Sequence, residues 1–268
     1  MAIIRGYVKS LLGPAMSHKV ARVLHGRKMD EVGLVFEAFS QVGIVGTMVD
    51  VGAHQGGSLH PFAVAGWKVF AFEPDPANRR ELVTLVARYP NVLVDPRGIS
   101  NECRSNVPFF TSNVSTGISG LGRFHDSHQQ TQTIDIITIE ELTREMEIVS
   151  VDFVKVDIEG YDLLALQGIP WDRFVPTCIV CEFEDRKTIP NGYSVDDMIV
   201  FLSSKGYDVT ISEWHPIKEY GGNHSWKAFR KSSAQMNPDA WGNLVAVQRN
   251  SPVAGYLSWE SLSQHRPK

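Results

Sequence analysis

The sequence predicts an α/β protein built on a doubly wound, mostly parallel sheet with an N-terminal helical extension. Three observations carry that reading. Strand-patterned and helix-patterned segments alternate at least five times between residues 30 and 206, the order that yields parallel strands with helices on both faces. The apolar run Ile44–Val51 breaks directly into Asp50-Val-Gly52-Ala53-His54-Gln-Gly56-Gly57, a buried strand opening into a glycine-rich turn. Acidic residues then recur where strands end: Asp50, Glu73, Asp95, Asp157 with Glu159, and Glu182 with Glu184. In open α/β sheets ligands bind beyond the carboxyl ends of the strands, so these acids share the ligand rim.

The elements follow in order. Val32, Val35, Phe36 and Phe39 recur at helical spacing and predict an amphipathic helix over 30–41. Residues 47–51 form the first strand and 68–73 the second, stopped by Pro74-Asp75-Pro76. Asp75 is placed to cap the next helix with Pro76 at its first position, and Leu82, Leu85, Val86 and Tyr89 form its apolar stripe. Residues 91–94 read as a third short strand. From 98 to 132 the pattern loosens, with strands at 107–110 and 133–137 flanking an irregular loop. Thr138 and Glu141 have capping-box spacing before a short helix. A fourth strand, 151–157, leads to a helix over 161–167 ended by Gly168, and a fifth covers 177–183. Ser194 and Asp197 cap a helix carrying Val195, Met198, Ile199 and Leu202, and closing strands fall at 208–213 and 244–248 with a polar, aromatic loop between them. The division is thus 1–43 as the helical extension, 44–250 as one domain, and 251–268 as a polar, loosely attached tail.

Composition narrows the class. Hydrophobic residues make up 43% of the 268 and charged ones 21%, ordinary for a globular chain. A net charge of -4 gives no basic surface for nucleic acid, which is not expected as a partner. Three cysteines do not make a disulfide framework. Cys178 and Cys181 sit three apart on a strand and therefore point to opposite faces, which removes a shared metal or redox pair. No apolar run reaches the roughly 18 residues of a membrane span, and no signal-peptide core precedes the domain, so a cytoplasmic location is expected. Arg5, Lys9, Lys19, Arg22, Arg27 and Lys28 face a single acid, Asp30. That basic segment reads first as capping helices and second as a peripheral membrane contact.

The turn itself discriminates between cofactors. A dinucleotide loop needs a bare middle glycine so that backbone approaches the pyrophosphate. With Gly52 first and Gly57 last, the middle slot is His54, whose ring obstructs a pyrophosphate. Asp50 suits a cation better than a phosphate. A cofactor with positive charge and no phosphate, S-adenosyl-L-methionine, fits better than a nicotinamide dinucleotide. Glu73, at the end of the second strand, is positioned to accept the ribose hydroxyls of an adenosine. His54 either shapes the turn or meets cofactor or acceptor. Asp157 and Glu159 stand where a hydroxyl proton would be taken, and Asp157 with Glu182 offers the oxygen ligands that Mg²⁺ prefers. His125 and His128, three apart, lack a third ligand and read as a loop. His215, His224, Trp214, Tyr220 and Trp226 cluster in the late loop, where aromatic rings either pack as a lid or stack on sugar.

Val49-Asp50-Val-Gly52-Ala53-His54-Gln-Gly56, Phe72-Glu73-Pro74, Lys155-Val-Asp157-Ile-Glu159-Gly160-Tyr-Asp162 and Val180-Cys-Glu182 resemble, in order and spacing, the FkbM family of S-adenosylmethionine-dependent methyltransferases. The resemblance spans roughly residues 45–190. It implies a seven-stranded sheet of class I methyltransferase type and O-methylation of a hydroxyl on a sugar, glycolipid or polyketide-type small-molecule acceptor. By position it implies cofactor binding by Asp50, Gly52, Ala53, His54, Gly56, Glu73, Pro74 and Asp157, with Asp157, Glu159 and His54 on the reacting side. His54 departs from the asparagine often found there. The segments 112–130 and 212–230 match no acceptor site. Two other functions share the fold: a nicotinamide-dependent oxidoreductase, and a non-catalytic cofactor-binding scaffold in glycan assembly.

Overall fold

The computed structural model describes residues 29–234, 236–237 and 239–266. Asp30 caps α1 (Glu31–Gln41), accepting from the Gly33 amide at 2.8 Å. Then come β1 (Thr47–Val51), α2 (His60–Val64), β2 (Lys68–Phe72), α3 (Pro76–Val86) and β3 (Val92–Asp95). A small layer follows: β4 (Gly98–Ile99), β5 (Arg104–Ser112) and β6 (His128–Ile137). The chain returns through α4 (Ile139–Glu145), β7 (Phe153–Val156), α5 (Asp162–Gln167), β8 (Cys178–Glu184), α6 (Asp185–Thr188) and α7 (Val195–Ser204). It closes with β9 (Tyr207–Trp214), β10 (Trp226–Lys231), β11 (Trp241–Gln248), α8 (Ala254–Leu257) and α9 (Trp259–Leu262).

The main sheet has eight strands in the order β10-β9-β11-β8-β7-β1-β2-β3. β1, β2, β3, β7 and β8 pair in parallel, and β11 runs antiparallel between β8 and β9. The chain works outward from β1 to β3 and then crosses back to place β7 on the other side of β1. The crevice above β1 and β7 is therefore the switch point at which such sheets bind ligands. Apolar side chains fill both faces. α4, α5 and α7 cover one layer, which includes Val49, Val154, Cys181 and Leu202. α1, α2, α3 and the C-terminal helices cover the other, which includes Met48, Phe62, Trp67 and Cys178. Cys178 and Cys181 thus lie on opposite faces, as strand geometry requires.

Four features depart from the sequence reading. The sheet carries one strand more than seven, because β10 lies within the segment read as loop. Trp226 and Phe229 are three apart, a spacing that hides a strand, yet a register shift between Trp226 and Ala228 turns both into one core layer. The polar stretch before residue 133 is also strand, since β6 begins at His128 and pairs with β5 across a second irregularity at Phe109/Phe110. The C-terminal segment is not loosely attached: Val253, Leu257 and Leu262 are buried in the layer that holds α1. Its sequence is polar overall because only these positions face inward. For the same reason α1 belongs to the domain core, with Phe36 and Phe39 fully buried. The basic segment and the rest of the expected extension, 1–28, lie outside the described residues. Among the described residues no helix is long and apolar enough to cross a membrane.

Candidate active site

A cavity of about 540 Å³ opens above β1, β2 and β7, within the size range of ordinary small-molecule sites. Gly52 begins the turn after β1 with φ +80°, and a Cβ there would lie 2.0 Å from the Asp157 carbonyl oxygen. Glycine is required both by backbone conformation and by the close approach of the β1 and β7 ends. Ala53 is buried beside it. His54 also has positive φ, +50°, so this slot keeps a glycine-like backbone while carrying a ring. Its Nε2 lies 3.0 Å from Thr116 Oγ1, and its amide donates to Glu73 at 2.7 Å. Burial, followed by the nearby Lys155 charge, lowers the His54 pKa, which favours the neutral imidazole.

Glu73 stands beyond the end of β2, 5% exposed, with Pro74 beside it on the cavity wall. Its two carboxylate oxygens accept from the His54 and Asp75 amides at 2.7 and 2.8 Å, leaving each a further lone pair. Burial raises its pKa to about 7 despite those two bonds. Asp75 caps α3 as the sequence predicts, accepting from the Ala77 and Asn78 amides, and its other oxygen accepts from Ser119. Asn78 donates through Nδ2 to the Thr116 carbonyl at 3.0 Å. These contacts fix the turn Thr116–Ile118 over the cavity, whose roof the small sheet completes with Phe109 and Ile134.

Two residues expected at the cofactor do other work. Asp50 is fully buried and absent from the cavity wall; it accepts from Ser58 Oγ at 2.6 Å and faces Lys155 Nζ at 3.4 Å. The cation that its charge suits is a protein side chain. Gly56 is likewise absent from the wall; a Cβ there would strike Leu82 and Leu85 at 2.8 Å, so it allows α3 to pack. Asp157 does line the cavity, its side chain 41% exposed and 3.5 Å from Lys155 Nζ. Lys155 also donates to the Gly52 carbonyl at 2.7 Å. Burial opposes its charge, but Asp50 and Asp157 outweigh burial and raise its pKa.

Beyond Asp157 the rim is a buried ionic cluster. Lys187 Nζ lies 2.5 Å from Glu159, 2.8 Å from Glu184 and 3.3 Å from Glu182, beneath the Phe124 and Tyr220 rings. Burial is the largest influence on Glu159, raising its pKa to about 7 against the pull of Lys187, and it raises Glu182 as well. Glu159 has φ +60°, a strained conformation for a side-chain-bearing residue. At Gly160 a Cβ would meet the Lys187 backbone at 2.8 Å. Carboxylate oxygens of Asp157, Glu159 and Glu182 lie within 4.8 Å of one another, a donor set suited to Mg²⁺. Lys187 already holds two of the three, and a divalent ion would have to displace it. The residues present therefore do not fit the metal.

Lys155 and Lys187 were missed from sequence. Lys155 had a signal, since it lies two residues before Asp157 on a strand and so shares its face. Lys187 comes just after the β8 acids, but nothing local shows that its side chain turns back among them. His128 opens β6 and is not on a helix with His125; their ring centroids are 6.2 Å apart and no third ligand joins them among the described residues. In the late loop, Tyr220, His224 and Trp241 line the cavity, while Trp226 joins the core.

A profile described as the methyltransferase FkbM domain matches residues 50–209, more than half of the chain. The hexuronic acid methyltransferase AglP of Haloferax volcanii is 30% identical over 101 residues, covering 38% of this chain and 41% of AglP. The match thus spans less than half of that relative. Among solved structures, a putative O-methyltransferase from Klebsiella pneumoniae shares 11% identity and a TM-score of 0.44, covering 92% of this chain and 96% of that one. The precorrin-6y C5,15-methyltransferase of Geobacter metallireducens shares 12% identity and a TM-score of 0.41, covering 82% and 90%.

Proposed function

The chain belongs to the FkbM family of methyltransferases, and from that premise we propose that it uses S-adenosyl-L-methionine to methylate a hydroxyl of a sugar-type acceptor. Membership sets the nicotinamide oxidoreductase aside. The observation that carries the cofactor half is Glu73, a buried carboxylate on the cavity wall with lone pairs left after both backbone bonds are made. The site fits the cofactor in a second respect, because Asn78, buried among the wall residues, has an Oδ1 without a partner among the described residues. Glu73 would hold the ribose, the Gly52–His54 backbone and Asp157 the amino-acid end, and Pro74 the base. When bound, the cofactor supplies an electrophilic methyl group on a sulfonium centre.

The protein's own part is positioning and proton handling. Orientation alone supplies much of the acceleration in such transfers. Asp157 is the open carboxylate on the acceptor side and would receive the acceptor hydroxyl as a hydrogen-bond donor. Glu159, whose pKa burial raises against the pull of Lys187, would then take the hydroxyl proton. His54, whose Nε2 is engaged by Thr116, is assigned to holding the turn. Lys187 supplies the fixed positive charge that a metal would otherwise bring to this rim.

Tyr220, His224 and Trp241 supply flat faces beside the acids, a surface on which sugar rings pack. Together with the AglP relative, this favours a saccharide hydroxyl over other acceptors. The test is S-adenosylhomocysteine release across a panel of neutral, amino and uronic sugars, repeated with EDTA. Asp157→Asn and Glu159→Gln should each lower kcat by about 10²–10⁴-fold. S-adenosylhomocysteine affinity should fall in Asp157→Asn, which also loses a contact to the amino-acid end, and stay within a few-fold in Glu159→Gln. EDTA should leave turnover unchanged. Full activity in both variants would remove the acids from the reaction, and no turnover on any acceptor would favour a scaffold.

A further inference from the structure

Asn78 is 2% exposed on the first turn of α3, yet its Oδ1 accepts no hydrogen bond among the described residues. Leaving a buried carbonyl acceptor unmet costs free energy that native proteins rarely concede without a use. Its orientation is fixed by chemistry: Nδ2 must face the Thr116 carbonyl, to which it donates, because the opposite flip would set two acceptors against each other. Asn78 belongs to the cavity wall beside Glu73 and Pro74. The same small region holds two further bonds onto the covering loop and turn, His54 Nε2 with Thr116 Oγ1 and the Ser119 hydroxyl to Asp75, while the His54 amide donates to Glu73 beneath them.

We infer that Asn78 is a cofactor-reading residue, whose Oδ1 accepts a hydrogen bond from a donor group of the adenosine portion while Nδ2 holds the Thr116 turn against it. This rests on the proposed use of S-adenosylmethionine and adds a residue that the sequence reading left as part of a helix. An adenosine offers two kinds of donor here, the ribose hydroxyls and the 6-amino group. The amide joins both partners through one rigid side chain, so a bound donor and the docked turn support each other. A residue serving only the turn would have no reason to leave its buried carbonyl unmet beside the cavity.

A binding cycle tests it. S-adenosylhomocysteine, its 2′-deoxy and 3′-deoxy analogues and its inosine analogue are titrated calorimetrically into the wild-type chain and into Asn78→Ala. Asn78→Ala should weaken S-adenosylhomocysteine about tenfold, the ordinary size of one buried hydrogen bond. For one analogue, the one lacking the donor that Asn78 reads, wild type and variant should bind alike. Loss of the difference with a deoxy analogue names a ribose hydroxyl, and loss with the inosine analogue names the 6-amino group. Asn78→Ser, which keeps a small polar side chain, is read in the same cycle if the alanine variant does not fold. An equal loss for all four ligands would overturn the inference and leave Asn78 a purely structural anchor of the turn. Failure of the wild type to bind S-adenosylhomocysteine at all would instead overturn the proposed function.

Discussion

In the proposed function single side chains divide the rim into a cofactor end and a proton end, with Glu73 at the first. Glu73→Ala should weaken S-adenosylhomocysteine binding by about 1–3 kcal/mol, the range for leaving polar partners unpaired; unchanged affinity by calorimetry would remove Glu73 from the ribose. Its pKa, raised from 4.5 to about 7 by burial, gives a signed pH dependence. Below pH 7 the free protein carries mostly protonated Glu73, whereas hydroxyl donors favour the ionised form. Binding should therefore release protons and tighten as pH rises from about 6 to 8, as titrations in buffers of different ionisation enthalpy would show. In the free protein the sign for stability is opposite. The folded state holds the proton more tightly than the unfolded chain, so this group's contribution to stability falls as pH rises from 4.5 through 7. The cavity-wall positions of Glu73 and Asp157 were legible because strand ends place side chains predictably. Asp50 misled, since the same rule puts it near the rim but cannot tell that Ser58 and Lys155 claim its carboxylate. Gly52→Ala should be strongly destabilising, because its Cβ would lie 2.0 Å from a backbone oxygen; an unchanged melting temperature would contradict the tight β1–β7 crossing.

Among the elements, those with one strong periodicity were read to within a residue or two, except that α3 stops at Val86 although its apolar stripe runs on to Tyr89. α1, α3 and α7 have apolar stripes and side-chain caps at Asp30, Asp75 and Ser194. β10 and the first half of β6 escaped because an irregular register breaks the two-residue alternation on which a strand reading depends. The C-terminal helices escaped because each is only four residues long, too short for any period to show. Their burial is nonetheless substantial: Val253, Leu257 and Leu262 are each at most 1% exposed. Truncation after Asn250 should lower stability by at least about 4 kcal/mol, taking roughly 1.5 kcal/mol for each buried aliphatic side chain. Urea unfolding reads this directly, and an unchanged midpoint would mean that the segment does not close the core layer.

At the scale of the molecule, the crossing from β3 back to β7 determines where chemistry can happen. It sets the β1 turn with Gly52 and His54 beside the β7 end with Asp157 and Glu159. Glu73 follows on the β1 side, and Lys187 with Glu182 on the β7 side. The small three-stranded sheet roofs this crevice, and the late aromatic loop supplies its far wall. The alternation of strands and helices announced the crevice. The roof strands at 107–110 and 133–137 were legible, but not their place over the crevice, because the pairing of β5 with β6 runs across irregular register that leaves no local signal. The central claim is that this crevice holds S-adenosylmethionine through Glu73. Calorimetric titration of S-adenosylhomocysteine into wild type and Glu73→Ala, with NAD as the control ligand, tests it most directly. The account predicts saturable binding of S-adenosylhomocysteine to wild type, weakened about 5- to 150-fold in the variant, and no binding of NAD. Equal affinity in both proteins, or binding of NAD alone, would contradict it.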